Sequence, residues 1–116
     1  MLVRTLGEAE LGPAYGILFQ QLYPAGGEDL ADWGIGRSVV EVGGSTEAHA
    51  HDEHEIFILI AGEARVEVDG EVRPARAGEA VLVPIGAHHQ LTNASAVQRL
   101  EFFNVYWPAS FGPIDL

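Results

Sequence analysis

Residues 55–76 read EIFILIAGEARVEVDGEVRPAR, and the pair Asp69-Gly70 is the hinge of that stretch. Before it, Val66 and Val68 alternate with Arg65 and Glu67. After it, Val72 stands between Glu71 and Arg73. A two-residue apolar period is the mark of a half-buried strand. Asp-Gly between two such runs is the strongest short-range signal for a tight hairpin. Ala61-Gly62 and Ala77-Gly78 mark two further turns, and the same texture extends to both ends of the chain. Strands are expected at Tyr15–Tyr23, Trp33–Val42, Glu55–Ala61, Glu63–Val68, Glu71–Arg76, Ala80–Val83, His88–Asn93 and Gln98–Trp107. The stretch from Pro24 to Asp32 reads as a loop and the tail from Pro108 as irregular. No apolar spacing of three and four is sustained, and 14 glycines punctuate the chain. The expected class is therefore all-β, an antiparallel sandwich or barrel. At 116 residues it forms one domain, 1–116.

One run breaks the alternation. Ile56, Phe57, Ile58, Leu59 and Ile60 are all apolar, so both faces of that strand need cover. A second sheet of the same chain or a partner subunit would supply it, and a homodimer is the expectation.

Composition narrows the functional classes. Apolar residues make up 47% of the chain, enough for a real core. No apolar run approaches the roughly 18–20 residues that span a bilayer, and no leader is visible after Met1, so a cytoplasmic location is expected. Cysteine is absent, which removes disulfides, thiolate ligands and a cysteine nucleophile. All 6 basic residues are arginines, scattered at Arg4, Arg37, Arg65, Arg73, Arg76 and Arg99, and the net charge is −11. Polyanion binding needs clustered positive charge, so neither nucleic acid nor an anionic membrane is an expected partner. Without lysine there is no Schiff-base chemistry.

All 5 histidines fall in two short clusters, His49, His51 and His54, then His88 and His89. A β-fold does not require this, and imidazole is the commonest metal ligand. On extended backbone His49 and His51 share a side, Glu55 shares it by an even step, and a third histidine from a distant strand would close the set. His54 and His88 have the opposite parity and are expected to face away, at the surface or behind the ligands. A one-residue slip would exchange His88 for His89. Asp52 and Glu53 read as solvated loop charges. Arg37 and Glu41 share a strand face and read as ordinary surface residues. Of Tyr15, Tyr23, Trp33, Phe102, Phe103, Tyr106 and Trp107, most are expected in the core or an interface, with one or two at a pocket mouth.

These residues resemble a known pattern. Gly43 to Gly62, with His49, His51 and Glu55 between, is similar to the first cupin motif, G-x5-H-x-H-x3-E-x6-G. Gly78, Pro84, Gly86, His89 and Asn93 are similar to the second, G-x5-P-x-G-x2-H-x3-N. Every fixed position of both is filled. The resemblance implies an antiparallel jelly-roll β-barrel with one divalent metal held by His49, His51, Glu55 and His89. Three imidazoles and a carboxylate suit zinc, iron, manganese, nickel or copper, and leave one or two positions open on the ion. Parity places Phe57 and Leu59 beside Glu55, and Leu91 beside His89, as a dry pocket lining.

A fold does not name a reaction. The expectation is a metal-dependent enzyme acting on a small molecule, of oxygenase or Lewis-acid isomerase or cyclase type. Glu55, a tyrosine or a metal-bound water would be its acid or base. A barrel that binds or senses a metal and a small ligand is the alternative, and a storage barrel a third. A second resemblance sharpens the first reading. His51 to Ile58 and Phe103 to Trp107 are similar to cupin domains that accompany methionyl-tRNA-synthetase-like proteins in natural-product biosynthesis. It implies zinc and a part in forming a nitrogen–nitrogen bond.

Overall fold

The computed structural model describes residues 1–111, so most of the tail expected to be irregular lies outside the described residues. Nine strands make up these residues, with short 3-10 turns at Glu8–Glu10 and Ala109–Phe111. The strands are β1 (Gly12–Ala14), β2 (Ile17–Tyr23), β3 (Gly34–Val40), β4 (Glu53–Ala61), β5 (Glu63–Val68), β6 (Glu71–Arg76), β7 (Ala80–Val83), β8 (His89–Asn93) and β9 (Leu100–Pro108). They form a six-stranded sheet in the order β1-β2-β3-β9-β4-β7 and a three-stranded sheet in the order β6-β5-β8. Every pairing is antiparallel. This is the jelly-roll barrel expected. Among the described residues no helix is long and apolar enough to cross a membrane.

Turn chemistry sets the register. Asp69 and Gly70 both have positive φ, 47° and 84°, as a type I′ turn requires, and β5 and β6 pair from Val68↔Glu71 outward. The expected strand Tyr15–Tyr23 is instead a hairpin. Tyr15 and Gly16 take φ of 56° and 78° and turn β1 back onto β2. Other expected ends shift by one or two residues. Trp33 and Val42 fall outside β3, β4 begins at Glu53, β8 begins at His89, and β9 runs from Leu100 to Pro108.

The core lies between the sheets and follows the two-residue period. Phe57 and Leu59 of β4, Ala64 and Val66 of β5, Leu91 of β8, and Leu100 and Phe102 of β9 are buried there. The rings of Phe57 and Phe102 meet edge to face at 5.3 Å and 80°. Each such large side chain contributes about 1.5–3 kcal/mol by leaving water.

The outer face of the large sheet has two unlike halves. Over β2 and β3 lies the N-terminal arm. There Gln20 Nε2 donates to the Thr5 carbonyl at 2.9 Å, and Arg37 Nη1 donates to the Gly7 carbonyl at 3.2 Å. Arg37, expected at the surface, is thus buried and pairs with Glu101 at 2.6 Å, while Glu41 is exposed beyond β3 and pairs with Arg99. Over β4, β9 and β7 the cover is thinner. The doubly apolar run resolves into buried Phe57 and Leu59 and outward Ile58 and Ile60, which are 39% and 43% exposed. The second sheet covers only one face of β4.

Candidate metal centre

Residues 45–51 form no regular strand, but they run along β8 and are pinned to it. Thr46 N–H donates to the Leu91 carbonyl, and the Thr46 hydroxyl accepts from Leu91 N–H at 3.0 Å. His49 and His89 then exchange both backbone bonds, 3.2 and 2.9 Å, as an isolated antiparallel bridge. That bridge brings the two motifs together and sets the ring centroids of His49 and His89 4.5 Å apart. The His51 ring lies 5.2 Å from His49 and 5.1 Å from His89. Ligand atoms of His49, His51 and His89 gather within 4.8 Å of one another.

The hydrogen bonds around the rings fix which nitrogen is free. His49 Nδ1 lies 2.6 Å from the Glu47 carbonyl, and His89 Nδ1 lies 3.0 Å from the Ala87 carbonyl. A carbonyl only accepts, so both Nδ1 atoms carry the proton. In the neutral ring, Nε2 then keeps a lone pair. His89 Nε2 is buried without a hydrogen-bond partner, as is His51 Nδ1. An orphaned buried nitrogen is costly unless something binds it, and a divalent metal fits both the vacancy of partners and the donor type. These three histidines are positioned to bind a metal ion.

Glu55 borders the cluster. Its Oε1 lies 3.1 Å from His51 Nε2 and 3.4 Å from His89 Nε2, and its Oε2 accepts from Asn104 Nδ2 at 3.2 Å. Ser38 Oγ donates to Asn104 Oδ1 at 3.4 Å, which turns the amide nitrogen toward the carboxylate. Burial lowers the pKa of His89, but the nearby Glu55 carboxylate and the hydrogen bond to the Ala87 carbonyl outweigh it, and the net shift is upward. Replacing Asn104 with leucine is expected to weaken metal binding by roughly 10-fold or more, as loss of a ligand's outer hydrogen bond does. A competition titration with a chelating dye reads this, and a change below about twofold would show that Asn104 does not hold Glu55 for the metal.

The centre opens into a cavity of about 310 Å³. Ile17, Phe19, Phe57 and Phe102 make its apolar wall, and Gln21, Ser38, Asn104 and Tyr106 its polar one. Gly34 and Gly36 on the inner face of β3 make room for this. A Cβ at Gly34 would collide with the Tyr106 hydroxyl, and one at Gly36 with the Phe19 ring. Gln21 Nε2 donates to Tyr106 Oη at 2.6 Å, leaving the phenol proton free for another acceptor. Burial raises the Tyr106 pKa, so the phenol is a proton donor at neutral pH.

His49, His51 and His89 come together, and Glu55 lies beside them. His88 is exposed and joined to Asp69 through its backbone alone, its N–H donating to the carboxylate and its carbonyl accepting from the Asp69 N–H, and it is His89 that joins the cluster. His54 faces away from the cluster, as its parity requires, but it is not at the surface. It is 4% exposed, its Nδ1 accepts from Ile85 N–H at 3.1 Å, and its ring lies against Trp107. Glu53 corrects its reading as a solvated loop charge: it opens β4 and lines the cavity, while Asp52 is exposed. Tyr15, Phe102 and Tyr106 line the cavity among the aromatics, and Leu59 and Leu91 lie beneath it in the core. Gln21, Ser38 and Asn104 escaped the sequence reading. Their roles depend on partners 49 to 85 residues away, which leave no local signal.

Fold and site together define a small antiparallel β-barrel with a three-histidine cluster at the base of an internal cavity. A model of the cupin domain matches residues 36–106, and the chain belongs to that family. A cupin 2 conserved barrel domain protein from Salinispora arenicola is 33% identical, with a TM-score of 0.83 over 95% of this chain and 91% of that one. A protein of Photorhabdus luminescens has the same TM-score of 0.83 at 22% identity, covering 95% and 90% of the two chains, a likeness of fold alone. A mannose-1-phosphate guanylyltransferase of Salmonella montevideo is 31% identical over 106 residues. The match covers 86% of this chain and 22% of that enzyme.

Proposed function

We propose that this cupin is a metal-dependent enzyme that transforms a small molecule within the barrel. The observation that carries the proposal is the pair of imidazoles whose Nδ1 protons are taken up by backbone carbonyls, beside a cavity of about 310 Å³. A structural metal needs no such space. His49, His51 and His89 would hold the ion, with Glu55 as fourth ligand. Zinc, iron, manganese or nickel bound there supplies Lewis-acid or oxygen-activating chemistry. The chain's own groups do the rest. The aromatic wall excludes water. Tyr106 offers a proton at Oη, and Glu55 accepts or returns one at its carboxylate, held by Asn104. Oxygenase and isomerase or cyclase chemistry both fit this set, and nitrogen–nitrogen bond formation is a special case supported by the resemblance of its β4 and β9 residues.

Cobalt(II) substitution tests the proposal. An open coordination position gives a visible spectrum that changes when acetohydroxamate is added, and this is the expected result. A spectrum indifferent to added ligand would mark a closed site, and a non-catalytic binding barrel would replace the enzyme.

The reading includes a homodimer. Ile56, Ile58 and Ile60 of β4, Leu82 of β7, and Phe103, Val105 and Trp107 of β9 share the outer face that the N-terminal arm leaves open. Its one charge, Glu101, is neutralised by Arg37. In a chain of net charge −11, such a face is where two copies approach without repulsion. The chain is expected to scatter light as a dimer and Ile58→Glu as a monomer. A monomeric wild type would remove the dimer from the account.

A further inference from the structure

The charge pattern of the cavity carries one step more, which rests on the metal reading above. Among the described residues no arginine lines the cavity, and the chain has no lysine. Arg4, Arg37 and Arg99 are paired with acidic side chains elsewhere. Two carboxylates do line it. Glu55 is engaged by His51 and Asn104. Glu53 makes no side-chain hydrogen bond or ion pair among the described residues, although it is half-buried. It stands two residues before Glu55 on β4, hence on the same face and about 6–7 Å nearer the strand's start. Tyr15 and Tyr106 line the same cavity. Tyr106 is the cross-strand partner of Glu55, and Glu53 and Tyr15 both lie near enough to act electrostatically on its phenol. An unpaired carboxylate in a cavity that two tyrosine rings also line is the recognition chemistry of an ammonium group, which takes an ion pair and the ring faces together. At the other end His89, which is 3% exposed, presents its orphaned Nε2.

We infer that the ligand of this cavity is a small amine, with an oxygen-bearing metal-binding group at one end and a protonated nitrogen at the other, the latter held by Glu53 with the help of the Tyr15 and Tyr106 rings. An anionic group such as a phosphate ester has no counter-charge at that mouth.

The test uses two probes of equal shape on the cobalt-loaded full chain, butanohydroxamic acid and 3-aminopropanohydroxamic acid. They differ in a terminal methyl against a terminal ammonium. The amino probe is expected to bind about 10-fold more tightly to the wild type. In Glu53→Gln the two probes should bind alike, with the affinity for butanohydroxamic acid unchanged. Net charge alone cannot produce that pattern, because the variant keeps all but one of the 17 acidic residues. Equal binding by the wild type, or a preference that survives in Glu53→Gln, would overturn the inference while leaving the metal intact. If the chain holds no cobalt, the metal reading falls instead. The ammonium end is then read on the metal-free protein with n-butylammonium. It should shift the Tyr15 and Tyr106 ring resonances in the wild type and not in Glu53→Gln, and an equal response in both would overturn the inference.

Discussion

Alanine at His89 is expected to reduce bound metal from about one equivalent to a trace while the barrel stays folded. His89 is 3% exposed and has its Nδ1 proton on the Ala87 carbonyl, and its Nε2 has no hydrogen-bond partner in the protein. Its backbone, not its ring, forms the bridge to His49. The substitution therefore removes a ligand and keeps the pairing. Losing one of three imidazoles leaves a set too sparse to compete with buffer for a divalent ion. His49→Ala and His51→Ala should behave alike. His54→Ala is the control that separates ligation from burial. It leaves the Ile85 N–H without its acceptor and should cost about 1–3 kcal/mol of stability. It should nonetheless keep its metal, because the ring lies against Trp107 on the other side of β4. Metal content by plasma mass spectrometry and melting by circular dichroism read both effects. Equal metal loss in His54→Ala would break the assignment of faces.

The second large effect is a reversal with pH. In the metal-free protein the folded-state pKa of His89 lies above its ordinary value of 6.5: burial lowers it, and Glu55 with the Ala87 carbonyl raises it further than burial lowers it. A group raised in the folded state contributes stability that is fully present below its unfolded value. That contribution is lost as pH rises through the folded value. Metal binding runs the other way, since it requires the unprotonated ring. Each pH unit below the raised value is expected to cost about tenfold in metal affinity for this one proton, or about 1.4 kcal/mol. The rise in Tm caused by metal should therefore be large near pH 8 and vanish near pH 5. A metal-induced rise that is the same across that range would exclude imidazole ligation.

Much of this was legible because the signals are local. Asp69-Gly70 between alternating runs placed β5 and β6 to the residue, and parity alone put His49, His51 and Glu55 on one side and His54 on the other. The Tyr15-Gly16 turn went unseen because tyrosine at positive φ is rare and announces nothing. Glu53 shares the parity of Glu55, but the neighbouring charge of Asp52 made it read as loop. The burial of His54 depends on Trp107 and on the turn at Ile85, and the orientation of Glu55 depends on Asn104 and Ser38. Such partners are set by which strands lie together in the sheet. No window of sequence contains them.

The most direct measurement is elemental analysis of the chain purified without a metal-affinity tag, run beside His49→Ala. The account predicts about one equivalent of a single divalent transition metal in the first sample and almost none in the second. Equal metal in both, or a wild type that binds none when zinc, iron, manganese and nickel are each supplied, would contradict it.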